Sequence, residues 1–309
     1  MSNLPSKELI TTLTTQLSSY EKKVLPDLLE KHGISPAQFV QVVLSEVKKN
    51  EKLMQAFKEN PASVFASVLA GAEIGLMPSD LIGEFYLIPR SMKGADGKYR
   101  MTATPMVGYK GLVSILLRSG DISKIHTEIV YEGDDFDVSY GLEQNIVHKP
   151  NFNVERTAAK ITHAYAVAKF RNGEYQFAVM SRKEIEAIRD MSKNSNGLYF
   201  NDRQNPARWM EKKCVLIQLS KMLPKDYYSK KAISLDQSVE GGSVLTLDEN
   251  NQIKIVEGTP IKPMRFRQIY STLNAPKPEI PESPAPQQED IVPIKFEFDE
   301  SNENPDTGV

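Results

Sequence analysis

The sequence predicts an α+β fold, and three observations carry that reading. Helical periodicity with clear end signals fills residues 1–75, two hairpin patterns occupy residues 83–180, and two more helical stretches follow before residue 225. Helices and strands come in blocks, whereas a parallel βαβ sheet would alternate them. The chain accordingly divides into an N-terminal helical region (1–75), an α+β core (76–235) and an acidic, Pro-rich tail (236–309).

SKELITTLTTQLSSYEKKVLPDLLEKHG reads as helix stopped at Gly33. SPAQFVQVVLSEVKKNEKLMQAFKEN places Ser35 at an N-cap and Pro36 at the first helical position, with Phe39, Val43, Val47 and Leu53 on one apolar face expected in the core. PASVFASVLAGAEIG is a further helix. GEFYLIP and YRMTATPMV pair across Asp96-Gly97, and ITHAYAVAKF and EYQFAVM across Asn172-Gly173, a strong short-range hairpin signal. Between the hairpins come a helix over 108–119, an extended run SKIHTEIVYEGDDFDVSYG and a short strand NIVHKP. SRKEIEAIRDMSK and NPARWMEKKCVLIQLSKMLP end the core, the latter with Asn205 as N-cap, Pro206 at its first position and Pro224 beyond its end.

Composition narrows the class. With 309 residues, 40% of them hydrophobic, the chain can bury a sizeable core. Cys214 is the only cysteine, so no internal disulfide forms, and its neighbourhood KKCVLIQL marks a buried thiol in a reducing compartment. No basic-then-apolar leader opens the chain and no run approaches roughly 18 apolar residues, which points to the cytoplasm. After Leu235 there are 14 acidic against 6 basic residues, net −8, leaving +6 on the rest of a chain whose total is −2. A basic body with an acidic tail points to a polyanionic partner. The tail holds 9 of the 19 prolines and is expected to be largely disordered, with IVPIKFEF (291–298) readable either as a docking peptide or as an apolar remnant of the tail.

The most informative stretch is MVGYKGLVSILLRSGDISKI (106–125). Its lysine between glycines is not a phosphate loop for ATP, since G-x-x-x-x-G-K-[ST] needs glycine before the lysine and a hydroxyl after it, where Leu112 stands. On a helix, Tyr109, Leu112, Val113, Ile115, Leu116 and Leu117 share one arc, and Lys110, Gly111, Ser114 and Arg118 the other. Lys110 and Arg118 would be about 12 Å apart across small residues, a spacing suited to phosphates of one strand. Further cations gather in Arg90, Lys93, Lys98, Arg100 and Lys124, and in Arg208, Lys212, Lys213 and Lys221. Arg208, Lys212 and Lys213 crowd a helix N-terminus, where the dipole disfavours them unless an anion binds. Tyr199, Phe200 and Trp209 stand near these cations as base-stacking candidates, with Trp209 equally readable as a core residue.

The acidic run EGDDFD (132–137) is the one place a metal-dependent nuclease could be argued, although its carboxylates would alternate across a strand. His32, His126, His148 and His163 lack ligand spacing and are read as structural. No metal, ATP or other cofactor is called for, with Mg²⁺ at most modulating DNA binding.

In order, GLMP, GEFYLIP, VGYKGLVSILLRSGDI, YEGDDFDVSYGLEQNIVHKP, THAYAVAKFRNGEYQFAVMSRKEIEAIRDMSK and WMEKKCVLIQLSKMLP resemble the RecT family of phage-encoded single-strand annealing proteins. The resemblance spans residues 75–223. It implies a recombinase that anneals single-stranded DNA without ATP or a catalytic site, in the cytoplasm of a bacterial host. It also implies ring or helical homo-oligomers, a core distantly similar to eukaryotic annealing proteins, and an annealed duplex intermediate as a bound species. A phage exonuclease and the host single-stranded DNA-binding protein are the partners expected at the tail. Tyr109, Lys110, Gly111 and Arg118 fall in the family's GY[KR]G and RSG segment, and Lys212, Lys213, Lys221 and Pro224 in its W…M.KK…K..LP segment. Members often carry arginines inside the latter, where this chain has only Gln218 among apolar residues. Two other classes stay open on residues alone, a nuclease built on EGDDFD and an oligomeric structural or adaptor protein.

Overall fold

Break signals split the long N-terminal helices. The computed structural model describes residues 7–93, 97–191, 197–240, 242–249 and 252–256. Helix α1 (Lys7–Lys23) is followed by α2 (Leu25–Leu29), with Pro26 in its first turn, and by a 3₁₀ turn ending at Gly33. The expected single helix from Ser35 is two, α3 (Pro36–Lys49) and α4 (Glu51–Glu59). Asn50 causes the break, because its side chain accepts the Lys52 and Leu53 amides at 3.1 and 3.3 Å and so starts a new helix. Phe39, Val43, Val47 and Leu53 are all buried, as expected of a core face.

Helix α5 (Pro61–Glu73) is buried on nearly every side, and its small residues let it lie close under a hairpin. That hairpin is β1 (Phe85–Lys93) and β2 (Tyr99–Val107), paired from Phe85↔Val107 to Lys93↔Tyr99. Ser63 accepts the Ala103 amide at 3.0 Å and Ser67 donates to its carbonyl at 3.2 Å, so the two buried hydroxyls are satisfied by one strand residue. The N-terminal helices and the strands share one hydrophobic core running from Leu13 to Leu245.

Helix α6 (Tyr109–Arg118) leaves β2 directly and leads into β3 (Ile122–Tyr131). The extended run expected there is two strands, because the chain turns at residues 132–134 before β4 (Asp135–Ser139), which pairs with β5 (Asn145–Lys149). Strands β6 (Ile161–Phe170) and β7 (Tyr175–Ser181) meet at the expected Asn172-Gly173 turn, and β3-β6-β7 form an antiparallel sheet. The β4–β5 hairpin covers one face of that sheet, with Phe136, Val138 and Ile146 against Val130, Tyr165, Val167 and Phe177.

Helix α7 (Arg182–Met191) follows β7, and α8 (Trp209–Ser220) packs on the sheet. It begins later than expected, since Arg208 at the N-cap takes the left-handed region at φ 60. Asn205 still acts as a cap from outside, accepting the Trp209 amide at 2.7 Å.

The expected start of the tail at 236 falls inside a helix. Helix α9 (Tyr227–Glu240) continues into a hairpin of β8 (Val244–Leu247) and β9 (Ile253–Val256), and β8 packs on α5 with Leu245 fully buried. Residues 257–309, including the peptide 291–298, lie outside the described residues. Those 53 residues carry 10 acids and 5 bases, so moving the boundary to 256 lowers the charge of the body from +6 to +3. Among the described residues no helix is long and apolar enough to cross a membrane.

Candidate nucleic-acid interface

The N-termini of α6 and α8 converge on one cleft of about 380 Å³. Its walls come from four places: the loop before β1 (Asp80, Leu81, Gly83), the base of the hairpin (Tyr86, Met106, Val107), the start of α6 (Gly108, Tyr109, Lys110), and the approach to α8 with its first residues (Leu198, Gln204, Asn205, Trp209, Met210, Lys213). Positive helix ends aimed at a common opening favour an anion there.

Close backbone approach builds this end of α6. The Gly108 amide donates to the Glu84 carbonyl at 2.8 Å. A Cβ on Gly108 would stand 2.3 Å from the Gly83 carbonyl oxygen, and one on Gly111 2.1 Å from that of Glu84. The two glycines are therefore a packing requirement, and Gly111 is buried, so the expected role of keeping a DNA-facing surface low between cations does not hold.

The cleft unites three residues singled out by sequence. The rings of Tyr109 and Trp209 lie 5.2 Å apart at 34°, and the Tyr109 hydroxyl shares a 2.8 Å hydrogen bond with Thr127. Burial raises the Tyr109 pKa, so its phenol stays neutral at working pH. Trp209 remains 44% exposed. Lys110 is exposed and has no ion-pair partner among the described residues. Lys212 sits 5.9 Å from the Trp209 ring and 3.7 Å from Glu128, extending the cationic rim.

Other expected contacts are committed internally. Arg118 turns away from Lys110 and donates to the Ile74 and Gly75 carbonyls at 3.1 and 2.8 Å, capping the C-terminal end of α5. A cation belongs at a helix C-terminus, where the last carbonyls lack helical partners. Lys213 is buried and paired with Asp236 at 2.7 Å, and Arg208 is buried against Asp202 and the Asn205 carbonyl. At the start of α8, protein carboxylates thus supply the negative charge that a phosphate was expected to bring. Tyr199 is buried with Cys214 beside its hydroxyl, and Phe200 is flanked by Arg182 and Arg189 at 4.4 and 5.8 Å, so neither presents a free stacking face. Cys214 is buried, as expected.

The remaining cations are spread out. Arg90 and Arg100 share the hairpin face that also carries Tyr86 and Met106, Arg90 lying about 13 Å along β1 from the cleft. Lys93 and Lys98 lie at the far end of the hairpin, roughly 25 Å from its base. Lys124 is exposed near the start of β3, and Ser114 is half-buried on α6. Lys221 lies at the opposite end of α8, roughly 18 Å from Trp209, where it donates to Gln218.

The acidic run does not converge. Asp134 is buried and accepts the Tyr131 and Asn151 amides, His148 and Arg156. Burial pushes its pKa up, but those four donors together hold it well below the ordinary carboxylate range. Asp135 points outward to Lys149 and Asp137 is exposed. His148 bridges Asp134 and the Tyr165 hydroxyl, a structural role for a histidine of the kind the sequence suggested. Burial lowers the pKa of His126 and of His163, both near the same small core.

Sequence reasoning missed the loop residues Asp80, Leu81 and Gly83, and Tyr86 and Gln204. Their signal was faint, since only the glycine before EFYLIP hinted that another backbone comes close. The RecT family model matches residues 37–253. The chain is also 30% identical to Protein RecT of Escherichia coli (strain K12) over 218 residues, 70% of this chain and 76% of that one. The chain belongs to the RecT family. It is thus a DNA-binding protein of recombination whose family anneals single strands. The matched region of this RecT-family chain runs past residue 235 into β9, in line with the extended folded body seen here.

Proposed function

We propose that this RecT-family chain anneals complementary single strands in the cytoplasm without ATP, as a homo-oligomer whose basic surfaces track the sugar–phosphate backbone. One observation carries the reading. An exposed Lys110 and a half-exposed Trp209 both line a single cleft at two helix N-termini, inside the region that the RecT family model matches. Cations on the hairpin, Arg90 and Arg100, extend the same face. The chemistry needs no bond-making residue, because pairing is limited by repulsion between two polyanions and by stray structure within each strand. Neutralising phosphates while leaving base edges accessible lowers both obstacles, and an oligomer multiplies weak sites by effective concentration. Mg²⁺ would act only by competing for phosphates. The acidic segment after residue 256 is assigned to protein partners and to tuning release.

Salt dependence tests this assignment. Lys110→Ala and Lys212→Ala should each reduce the slope of log K against log salt by about 0.7 for single strands, and slow annealing of complementary oligonucleotides. Arg118→Ala should leave the slope unchanged, because its guanidinium caps α5. Full binding and annealing by a Lys110→Ala/Lys212→Ala protein would remove the cleft from the interface. Annealing that required ATP, or DNA cut by the pure protein, would overturn the mechanism itself.

A further inference from the structure

The edge of the cleft at Lys110 suits a phosphate, but its inner walls suit something else. Tyr86, Tyr109, Trp209 and Met210 give it apolar, largely aromatic walls, and the cation within them, Lys213, is already neutralised by Asp236. A phosphate pressed against such walls would lose hydration without a compensating charge. Lys110, which has no ion-pair partner among the described residues, stands at the start of α6 beside Gly83, and the chain's one tryptophan lines the same cleft. A flat apolar body bearing a negative group at one edge matches this arrangement, and a nucleotide is such a body.

We infer that in the single-strand complex the cleft takes one unpaired nucleobase per protomer, stacked on Trp209, with the adjoining phosphate at Lys110. The inference rests on the single-strand-binding reading above and adds a base site to it. Three physical points support it. The volume of about 380 Å³ lies in the range of small-molecule sites. The Tyr109 ring tilts against Trp209 and its hydroxyl is anchored on Thr127, so the tryptophan is held while its outer surface stays accessible. A base taken from a single strand has no pairing partner to give up, so turning it inward costs less than flipping it from a duplex. The consequence is a checkpoint: the seated base is withheld from pairing and must leave the cleft as the complementary strand zips past it.

Trp209 is the only tryptophan, so its emission reports on this cleft alone. The full chain is titrated with an oligothymidylate and with an abasic deoxyribose-phosphate oligomer of the same length and charge. The base-bearing strand should quench Trp209 emission and bind about 5- to 150-fold more tightly, whereas the abasic strand binds without quenching. Adding the complementary strand should restore emission. Trp209→Leu should erase the difference between the two strands at an unchanged salt slope, and Trp209→Phe should recover part of it, which separates stacking from misfolding. Equal affinity and equal emission changes with both strands would overturn the base site while leaving single-strand binding intact. Emission that followed protein concentration and ignored DNA would also overturn it, because the cleft would then hold a neighbouring protomer. Failure to bind either strand would instead sink the reading on which the inference rests.

Discussion

Gly111→Ala sets two effects of opposite sign against each other. In a helix interior, alanine is favoured over glycine by about 1 kcal/mol, so propensity alone predicts a more stable protein. The structure predicts the reverse. The new methyl would lie 2.1 Å from the Glu84 carbonyl oxygen and 2.9 Å from Leu76 Cδ1. An ordinary carbon–oxygen contact is about 3.3 Å, so α6 and residue 84 must part by roughly 1 Å. The obstructing atom is backbone and already accepts the Gly108 amide, so no side-chain rotation relieves the clash. Overpacking of this kind costs about 1–3 kcal/mol, and the upper end applies here. After the propensity gain, the net loss is about 1–2 kcal/mol, or roughly 2–8 °C in melting temperature for a domain of this size. Thermal melts followed by Trp209 emission and by circular dichroism would measure it. Ser114→Ala, half-buried on the same helix, supplies the propensity gain without the clash and should be neutral or slightly stabilising. A Gly111→Ala protein that melted at or above the wild type would refute the packing argument and return Gly111 to the DNA-facing surface.

Four further outcomes follow from the same geometry. Lys213→Met, which leaves Asp236 buried with only the Val107 amide to satisfy it, should cost about 3–5 kcal/mol in urea unfolding, and Lys213→Met/Asp236→Leu less than that single change. Asp134 has a depressed pKa in the fold, so its contribution is full above the ordinary carboxylate value of about 3.9 and is lost as pH falls below it; Asp134→Asn should therefore destabilise strongly at pH 7, with the gap to wild type narrowing toward pH 3. His126 and His163 act in a higher range, since their lowered folded pKa values mean stability declines as pH drops below about 6.5, and unfolding midpoints at pH 7.5 and 5.5 should show it in wild type. Truncation after residue 256 should leave melting unchanged; truncation after 240 exposes the site of Leu245 and costs about 1.5–3 kcal/mol, and ending at 235 also strips Asp236 from Lys213. Identical melts for all three truncations would place the fold boundary back at 235.

By itself, the sequence determined the elements whose signals are local. Periodicity at Phe39, Val43 and Val47 marked a buried face, Asn172-Gly173 a turn, and Cys214 a buried thiol; the ordered motifs also pointed to the right family. What it left open was which charges meet water. Arg118, Arg208 and Lys213 read as surface cations because a helical wheel shows only one helix, and their partners lie up to 44 residues away at Ile74, Asp202 and Asp236. The same blindness placed the tail at 236, where composition turns acidic, although Asp236 is the buried counter-charge that ties α9 to α8 and to the end of β2. Only tertiary structure could bring Lys110, Tyr86 and Trp209 around one cleft, because backbone approach at Gly108 and Gly111 sets their relation and no spacing along the chain encodes it. Charge counted along a sequence measures how much a surface could attract. Burial and pairing decide how much of that charge is left for a ligand.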